Sequence, residues 1–338
     1  VEEVAVFGAG SWGTALADLL AKKGISVCLW SRNPEAARAI NATGHNVRYL
    51  KEHRLHSGVY ATSSLEEAAA FSKLWVSAVP TQAVRETLRL LRSFAGDDVL
   101  LCNAAKGIEI DSGLRISQIV DEELPGLSYS VISGPSHAEE VIIEQPTAVV
   151  VASSKEEVAS MWQEVFGCFH FRVYTSIDVT GVELGGAVKN VIAIASGIAR
   201  SMGLGDNTLA ALVCRGLAEV MRLGAKMGAN PLTLAGLAGV GDLVVTCYSM
   251  HSRNLRLGMC VGEGMSLEGA QAELGQVAEG AHTVIPIVER GRAMGVDLPI
   301  AKAVRDILYG GVTPKVAMEE LLLREMKPEL PPQMLWSQ

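Results

Sequence analysis

Val4-Ala5-Val6-Phe7-Gly8-Ala9-Gly10-Ser11-Trp12-Gly13-Thr14 passes from an apolar run into spaced glycines and continues as Ala15-Leu16-Ala17-Asp18-Leu19-Leu20. The stretch reads as strand, tight turn and helix. Gly8 permits the turn, Gly10 keeps side chains away from a bound pyrophosphate, and Gly13 lets the helix lie close to the strand. Unpaired amides at the helix start, aided by the helix dipole, favour an anionic ligand there. Glycines so spaced also occur in plain turns. The flanking strand and helix supply the context that dinucleotide binding requires.

Working outward, the second strand, Val27 to Trp30, should end near an acidic residue that holds the ribose hydroxyls of NAD. Ser31-Arg32-Asn33 stands there instead. An arginine accepts the 2′-phosphate of NADP, which a carboxylate would repel, so NADPH is expected to be tolerated or preferred. A solvated surface arginine is the competing reading of Arg32.

Further strands are predicted at Leu74 to Val79, Val99 to Cys102, Tyr129 to Ser133, Thr147 to Ala152 and Phe169 to Tyr174. Amphipathic helices fall between them. Ser64-Leu65-Glu66-Glu67 and Ser154-Lys155-Glu156-Glu157 fit the capping box, and Val84, Leu88 and Leu91 share one helix face. This alternation implies an α/β Rossmann-type domain over residues 1–177, with a parallel-rich sheet and ligands at the carboxyl ends of the strands. After residue 178 the pattern becomes helical: Val179 to Met202, Thr208 to Met227, Thr283 to Met294, Ala301 to Tyr309 and Val316 to Arg324, the last opened by Thr313-Pro314. An all-α substrate domain over 178–338 follows, ending in a loose tail from Pro328 that carries Pro331-Pro332.

Composition narrows the function. With 49% apolar residues and a formal charge of -8, the chain is neither disordered nor suited to nucleic acid, and it has no basic block. An acidic protein that takes an anionic ligand must do so through local cations and backbone amides. Cys28, Cys102, Cys168, Cys214, Cys247 and Cys260 lack C-x-x-C spacing, so buried reduced thiols are expected. No Cys/His cluster suggests a metal site, and His137 is assigned a structural role. A strand at the very start and the lack of an uncharged apolar run of about 18 residues point to a cytoplasmic protein with no membrane span.

Chemistry is sought at the strand ends. Ala78-Val79-Pro80-Thr81 offers small groups where a cofactor could pass. Asn103-Ala104-Ala105-Lys106-Gly107 places an ammonium at the ligand edge, and Ser133-Gly134-Pro135-Ser136-His137-Ala138 makes another turn into a helix. In the first helix of the second half, Lys189 is the sole basic residue between Val182 and Ala199. An ammonium on so apolar a helix must be paired or shift its pKa. A lowered pKa would let Lys189 exchange a proton near neutral pH, with Gly186 and Ala193 leaving room for a ligand. The competing reading is a buried ion pair with Glu183 or Asp242. Asp242, after a glycine-rich approach, orients a lysine or hydroxyl, or else caps a helix. Ser252-Arg253-Asn254 combines a helix start with a guanidinium, which suits a terminal phosphate.

These stretches together resemble the bacterial NAD(P)-dependent glycerol-3-phosphate dehydrogenases along nearly the whole chain. The resemblance rests on residues 8–14, 105–109, 133–138, 181–190, 239–243 and 252–254 in the same order. It implies interconversion of dihydroxyacetone phosphate and sn-glycerol 3-phosphate, feeding phospholipid synthesis, and a homodimer. By resemblance Lys189 is the proton acceptor in the oxidation direction, and Lys106 meets both substrate and nicotinamide. Gly134, Ser136, Asn190, Asp242, Thr246, Ser252, Arg253 and Asn254 would line the substrate site. Gly8, Gly10, Ser11, Trp12, Gly13, Ala138, Arg253, Val277 and Glu279 would meet NAD or NADP, with Arg32 and Tyr49 near its adenosine end. Asn103-Ala104-Ala105 departs from the threonine or serine usual before Lys106. Rival readings are a reductase of the same architecture acting on a hydroxy acid or sugar-acid phosphate, and a nucleotide-sensing regulator without turnover.

Overall fold

The computed structural model describes residues 1–275, 277–326, 328 and 329. The tail expected from Pro328, with Pro331-Pro332, therefore lies almost wholly outside the described residues.

Eight strands form one sheet: β1 Glu3–Phe7, β2 Ser26–Trp30, β3 Val59–Thr62, β4 Leu74–Ser77, β5 Leu100–Asn103, β6 Ser128–Ser133, β7 Thr147–Ala152 and β8 Phe171–Ser176. Their order is β3-β2-β1-β4-β5-β6-β7-β8. Each neighbouring pair is parallel except β6 and β7, which run antiparallel. The chain reverses its direction of travel across the sheet between β1 and β4, so the switch point sits over the glycine turn. β3 was not expected from sequence, because Val59-Tyr60-Ala61-Thr62 is a short run with no period to mark it.

Apolar side chains cover both sheet faces. Leu16, Leu20, Trp162 and Phe166 pack on one face. Phe7, Trp75, Leu88 and Leu91 pack on the other. Val84, Leu88 and Leu91 are buried on the helix Val84–Leu91, as their spacing predicts. Ser64 caps its helix by accepting from the Glu67 amide. The second predicted capping box is wrong: Lys155, not Ser154, holds the cap position, without a side-chain bond.

Beyond β8 the described chain is helical. The long helix Val179–Ser201 is flanked by Asp206–Lys226, Arg253–Gly262, Glu279–Ala293 and Pro299–Tyr309, with Pro314–Leu322 outermost. Glu279–Ala293 begins a turn earlier than expected and carries Pro286 inside. Thr313 caps the last helix by accepting from the Val316 amide, as predicted. Val179–Ser201 and Pro231–Tyr248 are apolar and long enough to cross a membrane by composition, yet the apolar window of the first is 100% buried in the fold. It is the core helix of this half. Where it crosses Arg253–Gly262, a Cβ on Gly197 would lie 2.0 Å from the Leu255 carbonyl oxygen, and one on Gly258 2.1 Å from that of Ile194. The two backbones therefore touch.

All six cysteines are free. Cys28, Cys102 and Cys247 are buried as expected, whereas Cys168 and Cys260 are half-buried and Cys214 is exposed.

Candidate active site

The glycine turn closes as the sequence predicts. Gly8 has φ of 117°, and a Cβ there would fall 2.7 Å from the Ala78 carbonyl group. A Cβ on Gly13 would lie 1.9 Å from the Gly8 oxygen, so both positions hold turn and helix together. Gly10 differs, because a Cβ there would meet nothing within 4 Å. Open space over Gly10, a helix start with no side-chain cap and a buried, partnerless Trp12 Nε1 together fit the pyrophosphate of a dinucleotide.

A cleft of about 880 Å³ opens above this turn, between the strand ends and the helices. Of the residues singled out from sequence, Gly8, Gly10, Ser11, Trp12, Arg32, Tyr49, Lys106, Ser136, Ala138, Lys189, Asn190, Thr246, Ser252, Arg253, Asn254, Val277 and Glu279 line it. Gly13, Gly134 and Asp242 stand behind that lining. A Cβ on Gly134, whose φ is 145°, would lie 2.9 Å from the Val149 Cα, so its place beside β7 excludes side chains.

Asp242, 1% exposed, is the anchor of the cleft. Lys106 comes from the end of β5 and donates to Asp242 Oδ2 at 2.8 Å and to the Gly134 carbonyl at 3.0 Å. Lys189 comes from the long helix and donates to Asp242 Oδ1, and to Thr246 Oγ1 at 2.9 Å. The Thr246 hydroxyl donates to the Asp242 carbonyl at 2.6 Å, which leaves its lone pairs facing Lys189. Burial lowers the Lys189 pKa to about 7; Asp242 opposes the shift and Lys106 adds to it. Burial pushes the Asp242 carboxyl up, but the two ammoniums outweigh it and hold it below its ordinary value. The alternative partner Glu183 is elsewhere: it accepts from Arg115 Nη1 at 2.5 Å, from the Ser117 amide and hydroxyl at 2.7 Å each, and from the Tyr129 hydroxyl at 2.7 Å.

Asn190 braces the cleft floor. Its amide donates to the Lys106 carbonyl at 3.3 Å, and its oxygen accepts from Asn254 Nδ2 at 2.9 Å. Asn254 in turn accepts from the Gly280 amide at 2.9 Å. Ser252 caps its helix by accepting from the Leu255 amide, while Arg253 Nη2 reaches across the cleft to Ser11 Oγ at 2.9 Å. Glu279 accepts from the Thr81 amide at 3.3 Å, and burial raises its pKa. His137 faces His251 with ring centroids 5.8 Å apart, and burial lowers its pKa.

Two expectations fail. A Cβ on Gly186 would sit 2.8 Å from Ser133 Oγ and 3.4 Å from Lys106 Cγ, so this glycine admits Lys106 and not a ligand. Ala193 is fully buried against Val213 and Leu243. The unusual Asn103 has a local use, since its side chain donates to the Ala105 carbonyl at 3.0 Å and accepts the Ala105 amide at 3.2 Å, stiffening the approach to Lys106. Glu183 was missed as the tie between the long helix, β6 and Arg115. The signal was present, since an acid on so apolar a helix needs donors. Among the described residues no group of three or more His, Cys, Asp or Glu is placed to hold a metal ion.

A dinucleotide turn facing two ammoniums on one buried carboxylate defines a nicotinamide-dependent oxidoreductase of the Rossmann-plus-helical kind. The match to known proteins narrows this. The family model for the NAD-dependent glycerol-3-phosphate dehydrogenase N-terminus covers residues 3–159, and that for its C-terminus covers 178–319. A glycerol-3-phosphate dehydrogenase [NAD(P)+] of Pelotomaculum thermopropionicum is 51% identical, over 95% of this chain and 93% of the relative. One from Chlorobium phaeobacteroides is 47% identical, over 97% and 99%. The crystal structure of glycerol-3-phosphate dehydrogenase from Coxiella burnetii superimposes with a TM-score of 0.93 at 37% identity, over 96% of this chain and 99% of that one. The chain belongs to the NAD-dependent glycerol-3-phosphate dehydrogenase family.

Proposed function

We propose that the cleft reduces dihydroxyacetone phosphate to sn-glycerol 3-phosphate and runs the reverse oxidation, using NAD(H) or NADP(H). The supporting observation is the meeting of Lys189 and Lys106 on Asp242 beside the glycine turn. When bound, a reduced nicotinamide supplies hydride to the ketone carbon. Lys189 gives a proton to the oxygen that becomes the alcohol, and neutral Lys189 takes it back in the oxidation. A pKa lowered to about 7 lets the amine act in both directions near neutrality. Lys106 adds positive potential beside the same oxygen, and Asp242 keeps the two ammoniums together.

Arg253 and the helix start at Ser252 bind the substrate phosphate. The bond from Arg253 to Ser11 at the glycine turn supports a residue shared by both ligands. Arg32 follows β2, where NADP would carry its extra phosphate, which supports NADPH being tolerated or preferred. Residues 1–177 act as the cofactor-binding domain and 178–338 as the substrate domain. A cytoplasmic homodimer supplying glycerol 3-phosphate to phospholipid synthesis completes the reading.

NADPH oxidation with dihydroxyacetone phosphate tests the function, with a hydroxy-acid precursor as the rival substrate. Lys189→Ala should reduce turnover by about 10²-fold or more, the range for a lost acid-base group. Full turnover in a folded variant would reject Lys189. Arg253→Ala should raise KM for the phosphorylated ketone far more than for its unphosphorylated analogue; equal loss on both would reject phosphate binding.

A further inference from the structure

The segment between the helix Pro34–Thr43 and β3 brings Tyr49 to the cleft, and Asn46 and Arg48 beside it line the same cleft. Asn46, 2% exposed, fastens it. Its amide donates to the Ala9 carbonyl at 3.0 Å and to Thr14 Oγ1 at 2.8 Å. Its side-chain oxygen accepts from the Arg48 and Tyr49 amides at 3.3 and 3.2 Å. One buried side chain thus ties the loop to both ends of the glycine turn. The Leu55 amide closes the loop's base on the Gly44 carbonyl at 2.8 Å.

What this loop presents is a second guanidinium. Arg48 lies 5.4 Å from the centroid of the Tyr49 ring, and both residues line the same cleft as Arg32. Among the described residues neither Arg32 nor Arg48 takes part in an ion pair. Asn33, beside Arg32, is committed to capping its own helix through the Glu35 and Ala36 amides. The carboxylates that line the cleft, Glu86, Glu139 and Glu279, stand on other elements. The adenosine end therefore carries two unneutralised guanidiniums on two separate elements.

We propose that Arg48 is a second reader of the cofactor's 2′-phosphate, held in place by Asn46 and acting with Arg32. This rests on the reading of the cleft as an NADP site and adds the residue that sharpens it. A phosphate dianion takes charge-assisted bonds from two forks at once, whereas the ribose hydroxyl of NADH leaves both cations to water. Stacking on Tyr49 limits the freedom that Arg48 would lose on binding.

Calorimetric titration of adenosine 2′,5′-bisphosphate and adenosine 5′-monophosphate into the wild type, Arg48→Ala and Arg32→Ala reads the site without turnover. Arg48→Ala should weaken the bisphosphate about tenfold or more, the scale of a charged hydrogen bond, and leave the monophosphate unchanged. The ratio of kcat/KM for NADPH to that for NADH should fall in parallel, and Arg48→Lys should restore part of it. Equal weakening of both nucleotides by Arg48→Ala, or weakening of neither, would overturn the proposal. Selective loss in Arg32→Ala alone would refute Arg48 and leave the NADPH reading standing. Selective loss in neither variant would remove both.

Discussion

Asp242 and Glu219 are two carboxylates buried to nearly the same degree in the helical half, at 1% and 2% exposure, and their pKa values are driven in opposite directions. Glu219 lies on the helix Asp206–Lys226 and accepts the Ile300 and Ala301 amides, at 2.7 and 3.2 Å, at the start of Pro299–Tyr309. Burial still raises its pKa to about 7. Asp242 meets two ammoniums and lies below its ordinary value. Once buried, a carboxylate is not repaid for its lost hydration by two amide dipoles, whereas two full charges do repay it. Glu219 borders an apolar cleft of about 1330 Å³ and ties two helices together, while Asp242 holds two lysines together behind the other cleft.

The contrast breaks most sharply at Asp242. Asp242→Ala should leave Lys189 and Lys106 facing each other unshielded and lower turnover by about 10²-fold or more. Wild-type turnover would mean that the carboxylate does not hold the pair. Asp242→Asn sharpens the point through pH. In the wild type ketone reduction needs protonated Lys189, so its kcat should fall as pH rises through about 7, while oxidation should rise over the same range. Removing the negative charge should move both midpoints to lower pH; an unmoved midpoint would detach Asp242 from the titration.

The smallest expected effect is on Glu219. Its folded pKa of about 7 stands above the ordinary 4.5, so the folded state binds more protons between those values and stability falls as pH rises through that window. Glu219→Gln removes the penalty while keeping an acceptor for the amides. Thermal melts at pH 8 should show a gain of a few degrees, shrinking toward pH 5. A loss of Tm at pH 8 would show that the ionised carboxylate is the better cap.

The glycine turn was legible because backbone geometry there is written in residues that lack a side chain. Lys189 was legible as a charge on an apolar helix, but its partner was left open between Glu183 and Asp242. Position in the chain decides neither, since Glu183 is six residues away on the same helix and Asp242 is on another; the choice is made by Arg115 and Tyr129, which take Glu183. β3 is paired along one side by β2 and carries no pattern of its own. Asn46 escaped notice for a related reason, since its four bonds span the turn and the loop and have no local signature. Gly186 was misread as ligand space because a sequence does not reveal which neighbour will fill a vacancy.

The crossing at Gly197 and Gly258 fixes more than packing. Lys189 and Arg253 ride on the two helices that meet there, so the reach from one cation to the other is gauged by a pair of hydrogens. A single methyl at either crossing point would wedge the rods apart and lengthen that reach before touching any reacting group. The spacing of two cleft cations is thereby set at a crossing that lies outside the cleft lining.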